Sequence, residues 1–218
     1  MRRQRVREAP ARYDLVRLAA YRRKDTSVTD SQSQSMTDAL RSDHHAIAGW
    51  LAGDGALSHN DEATAERELV VMNLVRHFVA EEQYLYPEVR DVLDRGDDIA
   101  EEHLTADRVI EAKLRKLEDR DLTAELLTAV WTELRSGFAA HIERQDPIFA
   151  ALESTCSPER LAHLGDEVLG AEQLAPTRPR SIAPSSPRLN KVASLVEGFV
   201  DHVRDHYTHR GDDPDLTR

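Results

Sequence analysis

The sequence holds a single cysteine, Cys156, so no disulfide can form within the chain. That fits a reducing compartment, and a cytoplasmic location is expected. No apolar run approaches 18 residues, which removes the expectation of a membrane-spanning helix. The N-terminal arginines are not followed by an apolar stretch, so no secretory signal is expected. Aromatic residues make up only 5 % of the chain and glycine is sparse. Alanine, leucine, glutamate and arginine abound instead, a mixture that favours helix over sheet. With 218 residues the chain is long enough for one domain with a core, plus appendages.

Charge is unevenly placed. Residues 1–25 carry nine Arg and Lys against Glu8, Asp14 and Asp25, whereas the whole chain has a net charge of −11. The acidic remainder argues against nucleic acid as a partner, because phosphate contacts need a basic face. Residues 1–35 are expected to be a basic, disordered arm ending in the polar linker DTSVTDSQSQS.

From Ser35 the pattern changes. Ser35-Met-Thr-Asp38 fits a capping box opening a helix with Leu40, His44, Ile47 and Leu51 on one face. Asn60 and Asp61 cap a second, whose inner face reads Val70, Leu74, His77, Glu81, Leu85. Pro87 should kink this helix and the Arg95–Asp98 segment should end it. A third presents Ile99, His103, Ile110 and Leu114. A fourth presents Leu127, Val130, Leu134, Phe138 and His141, with Ile148 and Phe149 beyond Pro147. Amphipathic segments of this period joined by short polar turns predict an all-α fold, an antiparallel up-down four-helix bundle over residues 36–155. Ser157-Pro158 should open an extra helix over 156–175. A Pro-rich linker is expected over 176–188 and a terminal amphipathic helix and tail over 189–218. In that tail His202, His206 and His209 have metal-like spacing but flank the apolar stripe, so a solvated face is the simpler expectation.

The chemistry lies in where the polar residues fall. His44, His77, His103 and His141 each take a place on the apolar stripe of a different helix, where leucine or isoleucine is due. One such histidine is usually a hydrogen-bonded core residue. Four, each costing roughly 1–3 kcal/mol if buried without partners, require something to coordinate them. Glu81 follows His77 by four residues, so both side chains reach one point, and a buried carboxylate beside imidazole is stable if a cation neutralises it. Imidazole and carboxylate without thiolate suit iron, manganese or zinc. Four histidines with two carboxylates suit two bridged irons. Asp146 is expected as the second bridging carboxylate. It stands five residues after His141, about 140° round an ideal helix, so a turn widened by Pro147 would have to bring it inward. Otherwise Gln145 points in and Asp146 faces solvent. His45, adjacent to His44, is turned away. The aromatic set Tyr84, Tyr86, Phe78, Phe138, Trp50 and Trp131 reads as core packing. His103 should lie about two turns nearer the helix 2–3 connection than Glu81, an offset the kink and loop must absorb.

These residues resemble the hemerythrin-like (HHE cation-binding) domains: Asp43-His44 on the first helix; His77-Phe-Val-Ala-Glu81-Glu82-Gln-Tyr-Leu-Tyr86-Pro87 on the second; Glu101-Glu102-His103 on the third; His141-Ile-Glu-Arg-Gln-Asp146-Pro147 on the fourth. The resemblance covers about residues 36–155 and implies two non-haem irons. Oxygen-carrying members have His-x3-His on the third helix. Here Asp107 takes the second position and either ligates or leaves a coordination site open. A hard oxygen donor would stabilise ferric iron, which moves the expectation from reversible O2 carriage toward peroxide or redox chemistry. The expected function is thus a di-iron protein that binds or reacts with O2, peroxide or NO, with decomposition of hydrogen peroxide to be tested first. The alternative is a non-enzymatic iron, oxygen or redox sensor.

Overall fold

Four of the six helix starts carry a side-chain cap. The computed structural model describes residues 33–119, 121–176 and 179. Most of the 1–35 arm, most of the Pro-rich linker and the terminal helix with His202, His206 and His209 lie outside the described residues. Helix α1 spans Met36–Ala52, with the Ser35 side chain accepting from the Asp38 amide. Helix α2 spans Asp61–Ala80, with Asn60 accepting from the Ala63 amide. These caps satisfy amide groups that have no intrahelical partner.

The kink expected at Pro87 takes a definite form. α2 runs into a π-helical turn at Glu81–Leu85, followed by α3, Tyr86–Val92. Proline has no N–H to give to the carbonyl four residues back, and its ring crowds that carbonyl. A wider turn just upstream relieves both problems. After α3 the chain reverses through Arg95, at φ 54°, into α4, Gly96–Leu117. A side chain at Gly96 would overlap the Val89 carbonyl, so only glycine allows this tight reversal. Thr123 caps α5, Ala124–Thr155, which continues unbroken through Pro147. Ser157 caps α6, Pro158–Leu174, with Pro158 in its first turn.

The result is an all-α bundle, with α6 added outside it against α1, α2 and the π turn. Its core divides into two apolar clusters. One gathers Ile47, Leu74, Phe78, Ile110, Leu114, Trp131 and Phe138. The other gathers Leu40, Leu85, Tyr86, Val89, Ala100, Phe149 and Leu152. Along every helix of the bundle the polar residues singled out from the sequence fall between members of one cluster and members of the other. Among the described residues no helix is long and apolar enough to cross a membrane.

Candidate metal centre

The level between the two clusters is built from His44 on α1, His77 on α2, Glu81 at the start of the π turn, His103 and Asp107 on α4, and His141 and Gln145 on α5. All are buried. His44, His77, Glu81 and His141 each direct one donor atom inward, and these four atoms lie within 4.8 Å of one another. His77 Nε2 is 3.0 Å from Glu81 Oε1, His141 Nε2 is 3.4 Å from it, and His44 Nε2 is 3.9 Å from it. The two ring nitrogens Nε2 of His77 and His141 face each other at 3.4 Å. Neither ring nitrogen of His44 has a hydrogen-bond partner. A buried imidazole in that state, aimed at a carboxylate and two further imidazoles, has the donor set of a cation site.

Behind the donors stands a layer that aims them. Asp107 Oδ1 accepts from His141 Nδ1 at 2.9 Å, and Asp43 Oδ2 lies 3.5 Å from His77 Nδ1. Asp107 holds the outer nitrogen of its ring so that Nε2 points inward, whereas Asp43 faces that of His77 at ion-pair distance without a hydrogen bond. Gln145 Nε2 donates to Glu81 Oε1 at 2.7 Å and to Tyr86 Oη at 3.2 Å. The Tyr86 hydroxyl donates to Asp107 Oδ2 and sits 3.2 Å from Glu81 Oε2. Glu81 thus turns one oxygen to the histidines and the other to Tyr86.

Electrostatics reflects the missing bulk solvent. Burial drives the His44 pKa down to about 4, leaving a neutral ring ready to ligate. Burial also opposes charge on His77 and His141, but Glu81 outweighs it. His77 is raised well above its ordinary value, and His141 to about 9. Desolvation pushes the Glu81 carboxyl up, and the two facing rings overcome it and hold the group well below the usual carboxylate range. In the metal-free protein, protons on His77 and His141 therefore take the place of a cation. Phenyl rings close the histidine side: Phe138 stacks on His141 with centroids 5.4 Å apart, and Phe149 stacks on His44 at 5.7 Å.

Of the seven residues expected as ligands, the structure gathers His44, His77, Glu81 and His141. His103 is buried, with its ring 6.1 Å from that of Tyr86, but lies outside the close group. Asp107 is buried beyond His141, where it supports that ring and Tyr86. Asp146 is a correction. α5 passes Pro147 without a widened turn, so position five after His141 stays on the outside and Asp146 is exposed, while Gln145 at position four is fully buried. His45 is exposed. Sequence reasoning missed Tyr86 as a member of the polar layer and held Gln145 only as the alternative to Asp146. Gln145 had a signal, its four-residue spacing from His141. Tyr86 had none in an ideal helix, because only the π turn brings it onto the Glu81 side.

Comparison with known proteins agrees with this geometry. Residues 35–152 match the family described as the hemerythrin HHE cation binding domain. The chain is also similar to an uncharacterized hemerythrin-like protein of Schizosaccharomyces pombe, 24% identical over 172 residues, which is 78% of this chain and 85% of that protein. No solved structure matches.

Proposed function

The chain belongs to the hemerythrin HHE cation-binding family and is a metal-binding hemerythrin-like protein; on that premise we propose that its metal is iron, carried as two non-haem ions, and that the centre binds or reacts with O2, peroxide or NO. The observation that carries this reading is the convergence of four buried donor atoms within 4.8 Å, among them a His44 ring with no other partner. One ion would be held by His44, His77, His141 and Glu81. A second would draw on Glu81 and His103, Asp107 being engaged by His141 and Tyr86. The all-imidazole and carboxylate donor set favours iron over a thiolate-bound structural zinc.

Bound iron supplies one-electron redox chemistry and a position at which a small oxygen or nitrogen species can bind. The chain's own residues do the rest. Phe78, Phe138 and Phe149 keep water from the imidazoles, and low polarity there strengthens every charge contact. Tyr86 keeps its proton at neutral pH, because burial and the Asp107 and Glu81 carboxylates raise the phenol well above its usual value. A proton is thus held on Tyr86 Oη, between the Asp107 and Glu81 carboxylates. Gln145 fixes Glu81 by donating to its inward oxygen.

Metal analysis of protein made in iron-replete cells should find about two irons per chain, since ligand sets of this type are filled as the protein folds. Fewer than about one would end the di-iron reading. The iron-loaded protein is expected to consume hydrogen peroxide, and His77→Ala to abolish that. Iron retained without turnover would instead identify a sensor.

A further inference from the structure

The carboxylates, imidazoles and amide of the polar layer resist one-electron oxidation. A phenol yields an electron readily, provided that its proton leaves as well. Removing the electron makes the O–H strongly acidic, so the cost depends on whether a base stands ready. At Tyr86 one does. The buried hydroxyl donates to Asp107 Oδ2, and this oxygen is distinct from the Oδ1 that accepts from His141 Nδ1 at 2.9 Å. Gln145 Nε2 donates to Tyr86 Oη at 3.2 Å, a contact that survives when the hydroxyl gives up its hydrogen. Trp131 supplies the contrast. It is also oxidisable and fully buried, but its Nε1 has no hydrogen-bond partner, so nothing is in place to take its proton.

The route for the electron is direct. Tyr86 Oη stands 3.2 Å from Glu81 Oε2, and Glu81 Oε1 lies 3.0 Å from His77 Nε2. A single carboxylate thus separates the phenol from the converging donor atoms. Burial keeps bulk water from the ring, which protects a reactive species formed there.

We propose that Tyr86 is a built-in one-electron donor to the metal centre, with Asp107 receiving its proton. The inference rests on the reading of the centre as an iron site that reacts with peroxide. Splitting hydrogen peroxide into two waters takes two electrons and two protons. When the metal can give only one electron, Tyr86 gives the other. Its O–H bond breaks, the proton forms an O–H bond on Asp107 Oδ2, and the electron passes by way of Glu81 to the centre. A neutral tyrosyl radical remains on residue 86, and solvent supplies the two protons that complete the waters.

The test uses the full chain, loaded with iron, reduced by one electron per site, mixed with one equivalent of hydrogen peroxide and frozen at successive times. Electron paramagnetic resonance should find an organic radical in wild type, with its hyperfine pattern narrowed when the protein carries ring-deuterated tyrosine. The signal should be lost in Tyr86→Phe, which keeps the ring, and retained in Tyr84→Phe. In Asp107→Asn, loaded to the same iron content, it should form at least about 100-fold more slowly, the lower end of what a positioned proton acceptor contributes. An iron-loaded wild type without the radical overturns the proposal, and so does a radical that persists in Tyr86→Phe. Formation at the wild-type rate in Asp107→Asn overturns the coupled proton step. Iron content and peroxide consumption, measured on the same samples, separate this inference from the reading beneath it. Iron bound and peroxide consumed without a radical sinks the donor and leaves the reading standing. A radical without sustained peroxide consumption upholds the donor and ends the peroxide-decomposing reading. A wild type that binds no iron overturns both.

Discussion

A histidine has two nitrogens, and at this centre the outer one decides what the inner one can do. Asp107 accepts from His141 Nδ1 at 2.9 Å, so that Nε2 of this ring faces Glu81. Asparagine at 107 keeps the shape but loses the charge that makes His141 a strong donor. Asp107→Asn should therefore weaken metal binding about 10- to 100-fold in chelator competition, with the helical circular dichroism signal unchanged. Affinity equal to wild type would show that the carboxylate plays no part. The residues that line up with period 3.6 were legible from the chain: His44, His77 and His141 interrupt apolar stripes, and Glu81 shares a face with His77. Asp146 was misplaced because a widened turn was assigned to the fourth helix, where α5 stays regular.

At the level of elements, caps were readable and the deviation from regular helix was not located. Ser35, Asn60 and Ser157 each accept the expected amide, a local matter of one side chain and the backbone beside it. The π turn depends on how Pro87 is accommodated within a packed helix, and periodicity says only that something must yield. Its effect is to place Tyr86, five residues on, 3.2 Å from Glu81. Pro87→Ala restores an amide and permits an ordinary α turn. Tyr86 should then swing off Glu81, and its phenol should titrate closer to the ordinary tyrosine value by ultraviolet absorption. An unshifted titration would mean that the π turn does not depend on the proline. Gly96→Ala should destabilise the chain by about 1–3 kcal/mol in chemical denaturation, because the new methyl group meets the Val89 carbonyl.

For the molecule as a whole, protons and metal compete for one place. In the metal-free protein His141 has its pKa raised to about 9, and His77 is raised as well. Their contribution to stability is complete below the unfolded value of about 6.5; that of His141 is lost as pH rises through about 9, and that of His77 as pH rises through its own raised value. His44, lowered to about 4, acts oppositely: its contribution is present above 6.5 and lost as pH falls toward 4. Glu81, held low, adds to the loss in acid. Thermal melts of the metal-free protein should therefore peak near neutrality and fall toward pH 9. Loading with metal should raise the melting temperature and, at pH 7, release about two protons, from His77 and His141, measurable in weak buffer. No proton release would contradict the charges assigned to these rings.

A polar stratum between two dry ones also reverses the usual geography of breathing. Most helices loosen from their tips inward. Here, once the cation is stripped, the weakest cross-section is the equator of the bundle, and amides around His44, Glu81, Asp107 and His141 should exchange with deuterium ahead of those packed in either apolar half. Loading the metal would then work as a rivet, silencing the middle of four helices at once.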